Sequence, residues 1–245
     1  MKVVAIIQAR MGSTRLPGKV LKKINNKPLL EYQIERLKRS TYIDQLVIAT
    51  TNKKSDDAIV EFCKSVGLSY FRGSEEDVLS RYYEAAKYFA AEVVVRITSD
   101  CPIIDPNVVD YVIATFKNNE YDYVSNTLER SYPRGMDTEV FAINVLKKAY
   151  KDAYKPFERE HVTPYIYLNP EMFKLYNLEY MTDQSSHRWT VDTKEDFILI
   201  EKILENFKSL DNDFSMEDTL SFLNKHPDLK EINADIEQKK VDYKL

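Results

Sequence analysis

Residues 3–19 read VVAIIQARMGSTRLPGK, a hydrophobic run that breaks into a basic loop with two glycines. The run at 3–7 predicts a buried strand, and the loop after it carries Arg10, Arg15 and Lys19. Glycine lets backbone N–H groups approach an anion closely, and the three cations neutralise its charge. The stretch therefore predicts a polyphosphate-binding loop. The alternative is a basic surface loop whose glycines serve only for turning.

The spacing within this loop excludes two common phosphate-binding motifs. A P-loop has four residues between its first glycine and Gly-Lys, which is followed by Ser or Thr. Here five residues separate Gly12 from Gly18, and Val20 follows Lys19. The G-x-G-x-x-G turn of dinucleotide-binding proteins is not formed either. The loop therefore indicates nucleotide chemistry of another class.

Composition sets the class of protein. A chain of 245 residues, 44% hydrophobic and 30% charged, fits one α/β domain with a sizeable core. Its net charge of −4 argues against a nucleic-acid partner, whose binding surface is normally basic. Cys63 and Cys101 lie far apart without a C-x-x-C motif, which argues against a disulfide framework or a zinc site. Without a signal-peptide pattern or a span of membrane length, we expect a cytoplasmic protein that does not insert into membranes.

In the first half of the chain, apolar runs of strand length alternate with helical patterns. Strands are predicted at about 2–8, 45–50, 69–71, 92–97 and 122–126, and helices near 28–39, 54–66, 76–90 and 106–117. This alternation predicts an α/β fold with a mostly parallel, twisted sheet and helices on both faces. Ligands of such sheets bind beyond the carboxyl ends of the strands. The polar segments that follow the strands should therefore gather at one edge.

The second half has a looser pattern. It predicts a strand at about 138–143, a helix at 144–152, a polar helical or looped element at 156–167, a strand at 173–180 that could be antiparallel, and amphipathic helices at 193–207 and 215–224. The charged tail from Lys230 is expected to be frayed or packed superficially. No linker is evident, so residues 1–210 are expected to form one domain, with 211–245 as its helical extension.

Two aspartates are candidates for binding a divalent cation. Asp100 ends the strongest predicted strand and is followed by a Cys-Pro turn, with no helix directly after it to cap. Asp105 precedes a proline and a helix, so it is better explained as a helix cap. Asp192 or Thr193 could cap the next helix, with Glu195 completing a capping box. Pairing with Asp100 across the sheet edge is what favours a metal at Asp192.

Other polar residues follow strand ends or lie in the second half. Arg72 and Gly73 have no evident structural role and could contact a base or a phosphate, whereas Ser74 can form a helix cap. Thr50 could bond a base edge or merely form a turn. The segments 132–139 and 158–161 supply cations and carboxylates suited to an acceptor with hydroxyls or a carboxylate. His161, beside an acid and an arginine, could equally be a structural hydrogen-bonding residue.

Together these segments resemble one protein family. They are IQAR (7–10) through PGK (17–19), ATT (49–51), RGSEEDVL (72–79), RITSDCPIID (96–105), SNT (125–127), PRGMD (133–137), REHVTPY (159–165) and VD (191–192). In this order they are similar to the SpsF-type cytidylyltransferases, which are named for a spore-coat polysaccharide protein. That family is related to the CMP-ulosonate synthetases, which activate KDO and acylneuraminate. The similarity covers roughly residues 1–205.

The resemblance implies a Rossmann-like, GT-A-type nucleotidyltransferase fold over residues 1–210. It also implies Mg²⁺-dependent transfer of CMP from CTP to an ulosonate, a sugar or a phosphorylated polyol, with release of pyrophosphate, for surface polysaccharide biosynthesis. The implied catalytic residues are Arg10, Lys19 and Asp100, and the implied metal ligands are Asp100 and Asp192. The implied nucleotide-binding residues are Ala9, Arg10, Gly12, Ser13, Arg15, Lys19, Thr50, Arg72, Gly73, Ser74 and Asp100. The implied acceptor-binding residues are Arg134, Asp137, Glu139, Glu158, His161 and Arg188.

Two alternatives of a different class stay open at this point. A GT-A glycosyltransferase would hold a sugar nucleotide through a D-x-D motif, but Asp100 is followed by Cys-Pro. A non-catalytic nucleotide-binding regulator would have lost its metal-binding carboxylates, yet Asp100 and Asp192 are both present. The sequence leaves open the acceptor, the formation of a homodimer and the role of the tail after residue 210.

Overall fold

The chain folds around one sheet of seven strands with helices on both faces. The computed structural model describes residues 1–238. Its strands are β1 (Val3–Gln8), β2 (Lys23–Ile24), β3 (Lys27–Pro28), β4 (Gln45–Thr51), β5 (Ser69–Gly73), β6 (Val93–Thr98), β7 (Tyr123–Ser125), β8 (Glu139–Ala142) and β9 (Leu175–Asn177). The large sheet has the order β5-β4-β1-β6-β8-β7-β9, and β2 and β3 form a separate hairpin. Within this sheet only β8 runs antiparallel to its neighbours.

Helices connect most of these strands. They are α1 (Leu29–Leu37), α2 (Asp57–Ser65), α3 (Val78–Tyr88), α4 (Pro106–Lys117), α5 (Ile143–Asp152), α6 (Pro156–His161), α7 (Pro164–Tyr167), α8 (Lys194–Asn206), α9 (Met216–Lys225) and α10 (Pro227–Glu231). Short 3-10 helices lie at Lys19–Leu21, Lys54–Asp56 and Lys208–Leu210. Among residues 1–238, no helix combines the length and the apolar composition that a bilayer span requires.

Strand β1 lies at the centre of the sheet and is covered on both faces. Val3, Ala5 and Ile7 belong to the apolar cluster on one face, and Val4 and Ile6 belong to the cluster on the other. All five side chains are fully buried. A strand buried on both faces requires apolar residues at every position rather than at alternate ones. This explains the unbroken hydrophobic run that opens the sequence.

The structure confirms the predicted α/β class and the mostly parallel sheet, with three differences in detail. Strand β8 is antiparallel, and β9 is shorter than the predicted 173–180 and runs parallel to β7 rather than antiparallel. Strand direction is set by the partner strand, which the pattern of a single segment does not reveal. The β2–β3 hairpin and α10 were not predicted, since both are too short to produce a periodic signal.

The C-terminal segment is packed against the body of the protein. Phe214, Met216 and Leu223 are buried in the same cluster as α1 and α4. Asn233 is only 5% exposed, so the expected frayed or superficial packing does not hold at this position. The part of the predicted tail from 239 to 245 lies outside the described residues.

Arg36 joins this segment to the core. It is fully buried on α1, and its guanidinium donates to the carbonyl oxygens of Ile104 (2.7 Å), Asn212 (2.8 Å) and Phe214 (2.6 Å). The guanidinium also lies 4.2 Å from the centroid of the Phe214 ring. Burial lowers the pKa of Arg36 to about 10, so the group remains charged at neutral pH. Its loss would remove the Arg36 donor from the carbonyl oxygens of Ile104 and Phe214, whereas Asn212 O keeps a donor in Arg39.

We expect Arg36→Met to lower the free energy of unfolding by about 3–5 kcal/mol, because it removes the charged donor from buried acceptors. Urea denaturation measures the change. Arg39→Met is the matched control, since Arg39 donates to Asn212 and Asp211 of the same segment from an exposed position. Its loss should cost less than about 1 kcal/mol. Equal losses in the two variants would contradict this account.

Candidate active site

The basic loop after β1 folds back on itself and returns Lys19 to the sheet edge. The Ala9 N–H donates to Ala49 O (3.1 Å), which continues the pairing of β1 with β4. Both Ser13 and Gly18 donate their N–H groups to Met11 O, at 2.9 and 3.0 Å. Gly18 has a φ of 67°, a left-handed conformation that favours glycine, and a Cβ there would lie 3.2 Å from Met11 Cε. The turn at Gly18 therefore sets the direction in which Lys19 leaves the loop.

The ammonium of Lys19 connects two segments that are distant in the sequence. It donates to Val191 O and to Asp192 Oδ1, both at 2.7 Å, and lies 3.8 Å from Asp100 Oδ2. The Val191 N–H also donates to Asp100 O at 2.8 Å. The structure thus brings together the two aspartates that the sequence suggested as a pair, with Lys19 in contact with both.

The two carboxylates have different electrostatic environments. Asp192 contacts three cations: Lys19, Arg15 (2.9 Å) and Arg188 (2.9 Å). Burial alone would raise the pKa of Asp192, but these three cations hold it below its ordinary value. Asp100 contacts Lys19 alone among the cations of the described chain, and its side chain is 23% exposed against 13% for Asp192. Asp100 is therefore the carboxylate with more capacity for a further partner.

This donor set suits a small divalent cation. Mg²⁺ prefers oxygen ligands and is usually held by one or two carboxylates, with phosphate and water completing its shell. Asp100 and Asp192 supply hard carboxylate oxygens around one position, which already attracts a cationic group. Across residues 1–238 no cluster of three or more His, Cys, Asp or Glu side chains is placed to hold a metal. The pair therefore fits Mg²⁺ brought with a phosphate better than a closed metal site.

A cavity of about 310 Å³ lies beside the loop, at the ends of β4 and β5. Its walls are Asn52, Lys53, Gly73, Ser74, Glu75 and Glu76. Glu75 forms ion pairs with Lys53 and with Arg10 (3.5 Å), and Gly12 lies next to it. The volume falls at the lower end of the range of about 300–1,000 Å³ for small-molecule sites. Arg10 is half-exposed, so it can reach a ligand that extends from the cavity towards Lys19.

The polar residues at these strand ends do not all face the cavity. Arg72 donates to Thr51 O and Lys53 O, both at 2.9 Å, and pairs with Asp57, so it supports the cavity wall from behind. A Cβ on Gly73 would lie 2.9 Å from Arg81 Cγ. The expectation that Arg72 and Gly73 lack structural roles is therefore wrong.

Thr50 and Ser74 differ in their access to a ligand. Thr50 is fully buried and its hydroxyl makes no hydrogen bond within residues 1–238. Ser74 is exposed and accepts from the Asp77 N–H (3.0 Å), whereas Asp77 itself caps α3 through Ser80. The helix cap is thus one turn later than predicted, and the Ser74 hydroxyl keeps a proton to donate.

The predicted helix caps near the two aspartates are present. Asp105 accepts from Asn107 N (2.8 Å) and caps α4 as expected. Thr193, not Asp192, caps α8, and the capping box is completed by Asp196 rather than Glu195. The Asp192 side chain is therefore not used as a helix cap and points to the cations described above.

The segment before β8 brings arginines to the same edge. Asp137 forms a two-pronged ion pair with Arg130, at 2.6 and 2.8 Å. Arg134 is half-buried, and no carboxylate of residues 1–238 lies within ion-pair distance of it. Burial, Arg130 and Arg188 lower its pKa. A partly desolvated cation with no acid partner is suited to binding an anionic group.

Three residues expected to bind an acceptor are instead engaged inside the protein. Glu139 is 6% exposed and accepts from Tyr123 (2.5 Å) and Thr163 (2.6 Å) while pairing with Arg96. Glu158 is 4% exposed and forms a capping box at the start of α6.

Arg188, at 7% exposure, is held by Asp192 and Asp196. These internal contacts argue against a direct role of Arg188, Glu139 and Glu158 in binding an acceptor. His161 lies at the end of α6, and its acceptor role stays a prediction.

Sequence reasoning missed three residues that organise the site. Asp196 could have been found, because it is three residues after Thr193 and so has the correct spacing for a capping box. Arg130 and Asn233 gave no such signal. Their partners are seven and tens of residues away, and only the folded chain brings them together.

Comparison with known proteins gives a consistent result. A family model described as cytidylyltransferase matches residues 4–244. The spore coat polysaccharide biosynthesis protein SpsF of Bacillus subtilis is 35% identical over 241 residues, covering 92% of this chain and 95% of that protein. A 3-deoxy-manno-octulosonate cytidylyltransferase of Chlamydia trachomatis is 34% identical over 179 residues, covering 69% and 68% of the two chains. The structure of a cytidylyltransferase from Leptospira borgpetersenii superimposes with a TM-score of 0.90 at 36% identity, covering 99% of this chain and all of that one.

His187, which precedes Arg188, makes the stability of this segment depend on pH. Its ring packs on Trp189, with centroids 5.4 Å apart. Burial, with a smaller contribution from Lys230, lowers the pKa of His187 to about 4. Between the ordinary histidine pKa of about 6.5 and this value, the unfolded chain binds a proton that the folded protein does not. Stability is therefore lost as the pH falls through this window.

We expect the His187 contribution to the free energy of unfolding to fall by about 1–2 kcal/mol between neutral pH and about pH 4, because partial solvent exposure of the ring reduces the full effect of the shift. Urea denaturation of wild type and His187→Gln across this range measures it as the difference in pH slope. His226→Gln, at an exposed position after α9, is the control and should keep the wild-type slope. A His187→Gln variant with an unchanged slope would refute the assignment.

Proposed function

The chain belongs to the cytidylyltransferase family and is a nucleotidyltransferase, and on this premise we propose that it transfers CMP from CTP to a sugar-like acceptor, with release of pyrophosphate. The observation that carries the proposal is the contact of the Lys19 ammonium with both Asp100 and Asp192, beside a cationic loop. The family argues against the glycosyltransferase and the non-catalytic regulator considered from sequence. The similarity to SpsF supports a place in surface polysaccharide biosynthesis.

Three cations of the first loop are suited to the triphosphate. Arg10 and Arg15 each contact one carboxylate, and Lys19 contacts two. A triphosphate carries more negative charge than a single carboxylate. Its oxygens can therefore replace the carboxylates as partners of these three cations. We assign Arg10, Arg15 and Lys19 to the β- and γ-phosphates, where they stabilise charge that grows as pyrophosphate leaves.

Asp100 and Asp192 are the proposed ligands of Mg²⁺. When bound there, the ion would supply positive charge that polarises the α-phosphate. Asp192 is held by Arg188, which is not among the cations assigned to the phosphates, whereas the more exposed Asp100 has room to turn towards an incoming ion. Before the ion binds, the Lys19 ammonium contacts both carboxylates and offsets the repulsion between them.

We place the cytosine in the cavity at the ends of β4 and β5. Gly73 and Ser74 offer close backbone approach and a hydroxyl, and Asn52 adds an amide that can both donate and accept. Arg72 holds this wall in place through Thr51 and Lys53, so we assign it a supporting role. Arg10 contacts Glu75 of the cavity wall and belongs to the same loop as Lys19, so we propose that CTP extends from the cavity along this loop.

The acceptor is proposed to bind on the other side of Asp100, near Arg134. Arg134 has no acid partner in residues 1–238, and the neighbouring Asp137 is held by Arg130. This arrangement favours an acceptor with a carboxylate or phosphate for Arg134 and hydroxyls for Asp137. The acceptor hydroxyl oxygen attacks the α-phosphorus in line and its proton is released to water, while the bond from that phosphorus to the oxygen shared with the β-phosphate breaks and pyrophosphate leaves.

The nucleotide can be tested before the acceptor is known. In the presence of Mg²⁺ we expect CTP to raise the melting temperature more than UTP, ATP or GTP, because a ligand stabilises the state that binds it. An acceptor panel of ulosonates, neutral sugars and phosphorylated polyols then follows, with pyrophosphate release as the readout. Anionic acceptors should be the ones that react. A preference for a purine nucleotide would overturn the cytidylyl assignment.

With the reactive acceptor, we expect Asp100→Asn to lower kcat about 100-fold to 1,000-fold, because it removes the proposed metal ligand that is least engaged by the protein. The variant should keep the wild-type melting temperature in the absence of ligands. Asp152→Asn, an exposed position at the end of α5, is the matched control and should react normally. Normal turnover by Asp100→Asn would remove the metal from this site.

A further inference from the structure

The C-terminal segment 211–238 contacts both of the loops that carry the proposed metal ligands. It contains α9 and α10 and lies beyond the region on which the sequence resemblance rests. It makes hydrogen bonds to both loops, most of them buried, in addition to the apolar packing that holds α9 on the core. The segment therefore needs an explanation beyond covering apolar surface.

The first set of contacts leads to the loop that follows Asp100. Asp105 Oδ2 accepts from the Met216 N–H at 2.6 Å, while its other oxygen caps α4. Arg36 donates both to Ile104 O and to Phe214 O. The end of the loop 100–105 is thus tied to the start of α9.

The second set leads to Asp192 and is centred on Asn233. The Asn233 side-chain amide donates to Arg188 O (2.9 Å) and to Asp196 Oδ1 (2.8 Å), and the residue is 5% exposed. Gln238 accepts a hydrogen bond from the Arg188 guanidinium. Asp196 in turn accepts from the Asp192 N–H at 2.9 Å, and Arg188 pairs with the Asp192 carboxylate. Asn233 is therefore linked to Asp192 in two ways. One link runs through Asp196 to the Asp192 backbone N–H, and the other runs through Arg188 to the Asp192 carboxylate.

We propose that Asn233 is a positioning residue for Asp192, and that the C-terminal segment holds the two proposed metal ligands at a fixed separation. The proposal rests on the function proposed above. Without the Asn233 amide, Asp196 loses a donor and Arg188 loses the bond to its carbonyl, so both can move away from Asp192. Partners that orient metal ligands in this way typically affect metal affinity by about 10-fold to 100-fold.

The test measures metal binding without any turnover. Mn²⁺ binding to the full chain, with CTP present and no acceptor, is followed by electron paramagnetic resonance of free Mn²⁺. We expect Asn233→Ala to weaken Mn²⁺ binding about 10-fold or more. Affinity for CTP in the presence of a chelator, measured by calorimetry, should change little, because the cations of the first loop remain. If Asn233 only anchored the C-terminal segment, Asn233→Ala would not weaken Mn²⁺ binding while leaving the affinity for CTP unchanged.

Two further variants sharpen the comparison. Asn233→Asp keeps the shape of the side chain but replaces the donor with an oxygen next to Asp196 Oδ1, so it should weaken Mn²⁺ binding more than Asn233→Ala. Asn224→Ala removes an exposed amide on α9 and should bind Mn²⁺ like the wild type. If Asn233→Ala does not fold, Gln238→Ala decides in its place, since Gln238 is exposed and contacts Arg188 directly.

The outcomes separate this proposal from the proposed function. A folded Asn233→Ala or, failing that, Gln238→Ala protein with wild-type Mn²⁺ affinity overturns the positioning role alone. A wild-type protein that binds no Mn²⁺ in the presence of CTP overturns the proposed function, and the positioning role with it. If Asn233→Ala binds Mn²⁺ more weakly and keeps its affinity for CTP in the presence of a chelator, the positioning role and the proposed function are both supported.

Discussion

The site depends on one cation held between two carboxylates. Asp100 and Asp192 belong to segments that are far apart in the chain. Their two negative charges repel each other, and without a cation between them this repulsion would destabilise the contact between the two segments. The Lys19 ammonium removes this repulsion by contacting both, and its bond to Val191 O fixes its height above the sheet. Gly18 makes this possible, because its left-handed conformation turns the loop back towards the edge. The Lys19 ammonium therefore joins the first loop to Asp100 after β6 and to Asp192 in the second half of the chain.

The charges around this nitrogen are unevenly distributed, and the imbalance has a chemical meaning. Asp192 is surrounded by Lys19, Arg15 and Arg188, and these cations hold its pKa below its ordinary value. Asp100 has one cation at a longer distance. A divalent ion that arrives with a polyanion needs a fixed ligand and an adaptable one, since the polyanion draws away the cations that were there before. In the function that we propose, Asp192 is the fixed ligand and Asp100 is the adaptable one.

The sequence predicted what local patterns determine and missed what the fold decides. The apolar run 3–7, the Asp105 cap and the loop at Gly12 to Lys19 follow from residue type and spacing, and they are present in the structure. Arg72 was misjudged because its partners, Thr51 and Lys53, lie at the end of the neighbouring strand β4 and just beyond it. Glu139 had the charge for a ligand contact, yet pairing of β8 with β6 places it beside Arg96 in the interior. Charge suggests function only where the side chain can reach solvent, and exposure is a property of the fold.

The reversed strand explains how the residues proposed for CTP and for the acceptor come to one edge of the sheet. In the parallel part, the loops after β1, β4, β5 and β6 emerge at the carboxyl edge, and they carry the groups proposed for CTP. Strand β8 runs the other way, with Glu139 at its start paired to Arg96 near the end of β6. The segment that precedes β8, rather than the one that follows it, therefore reaches that edge. This brings Arg134 and Asp137 to the sheet edge that also carries Asp100. A further parallel strand would have sent the residues just before it to the opposite edge of the sheet, so the change of direction is what brings the residues proposed for the acceptor to the edge proposed for CTP.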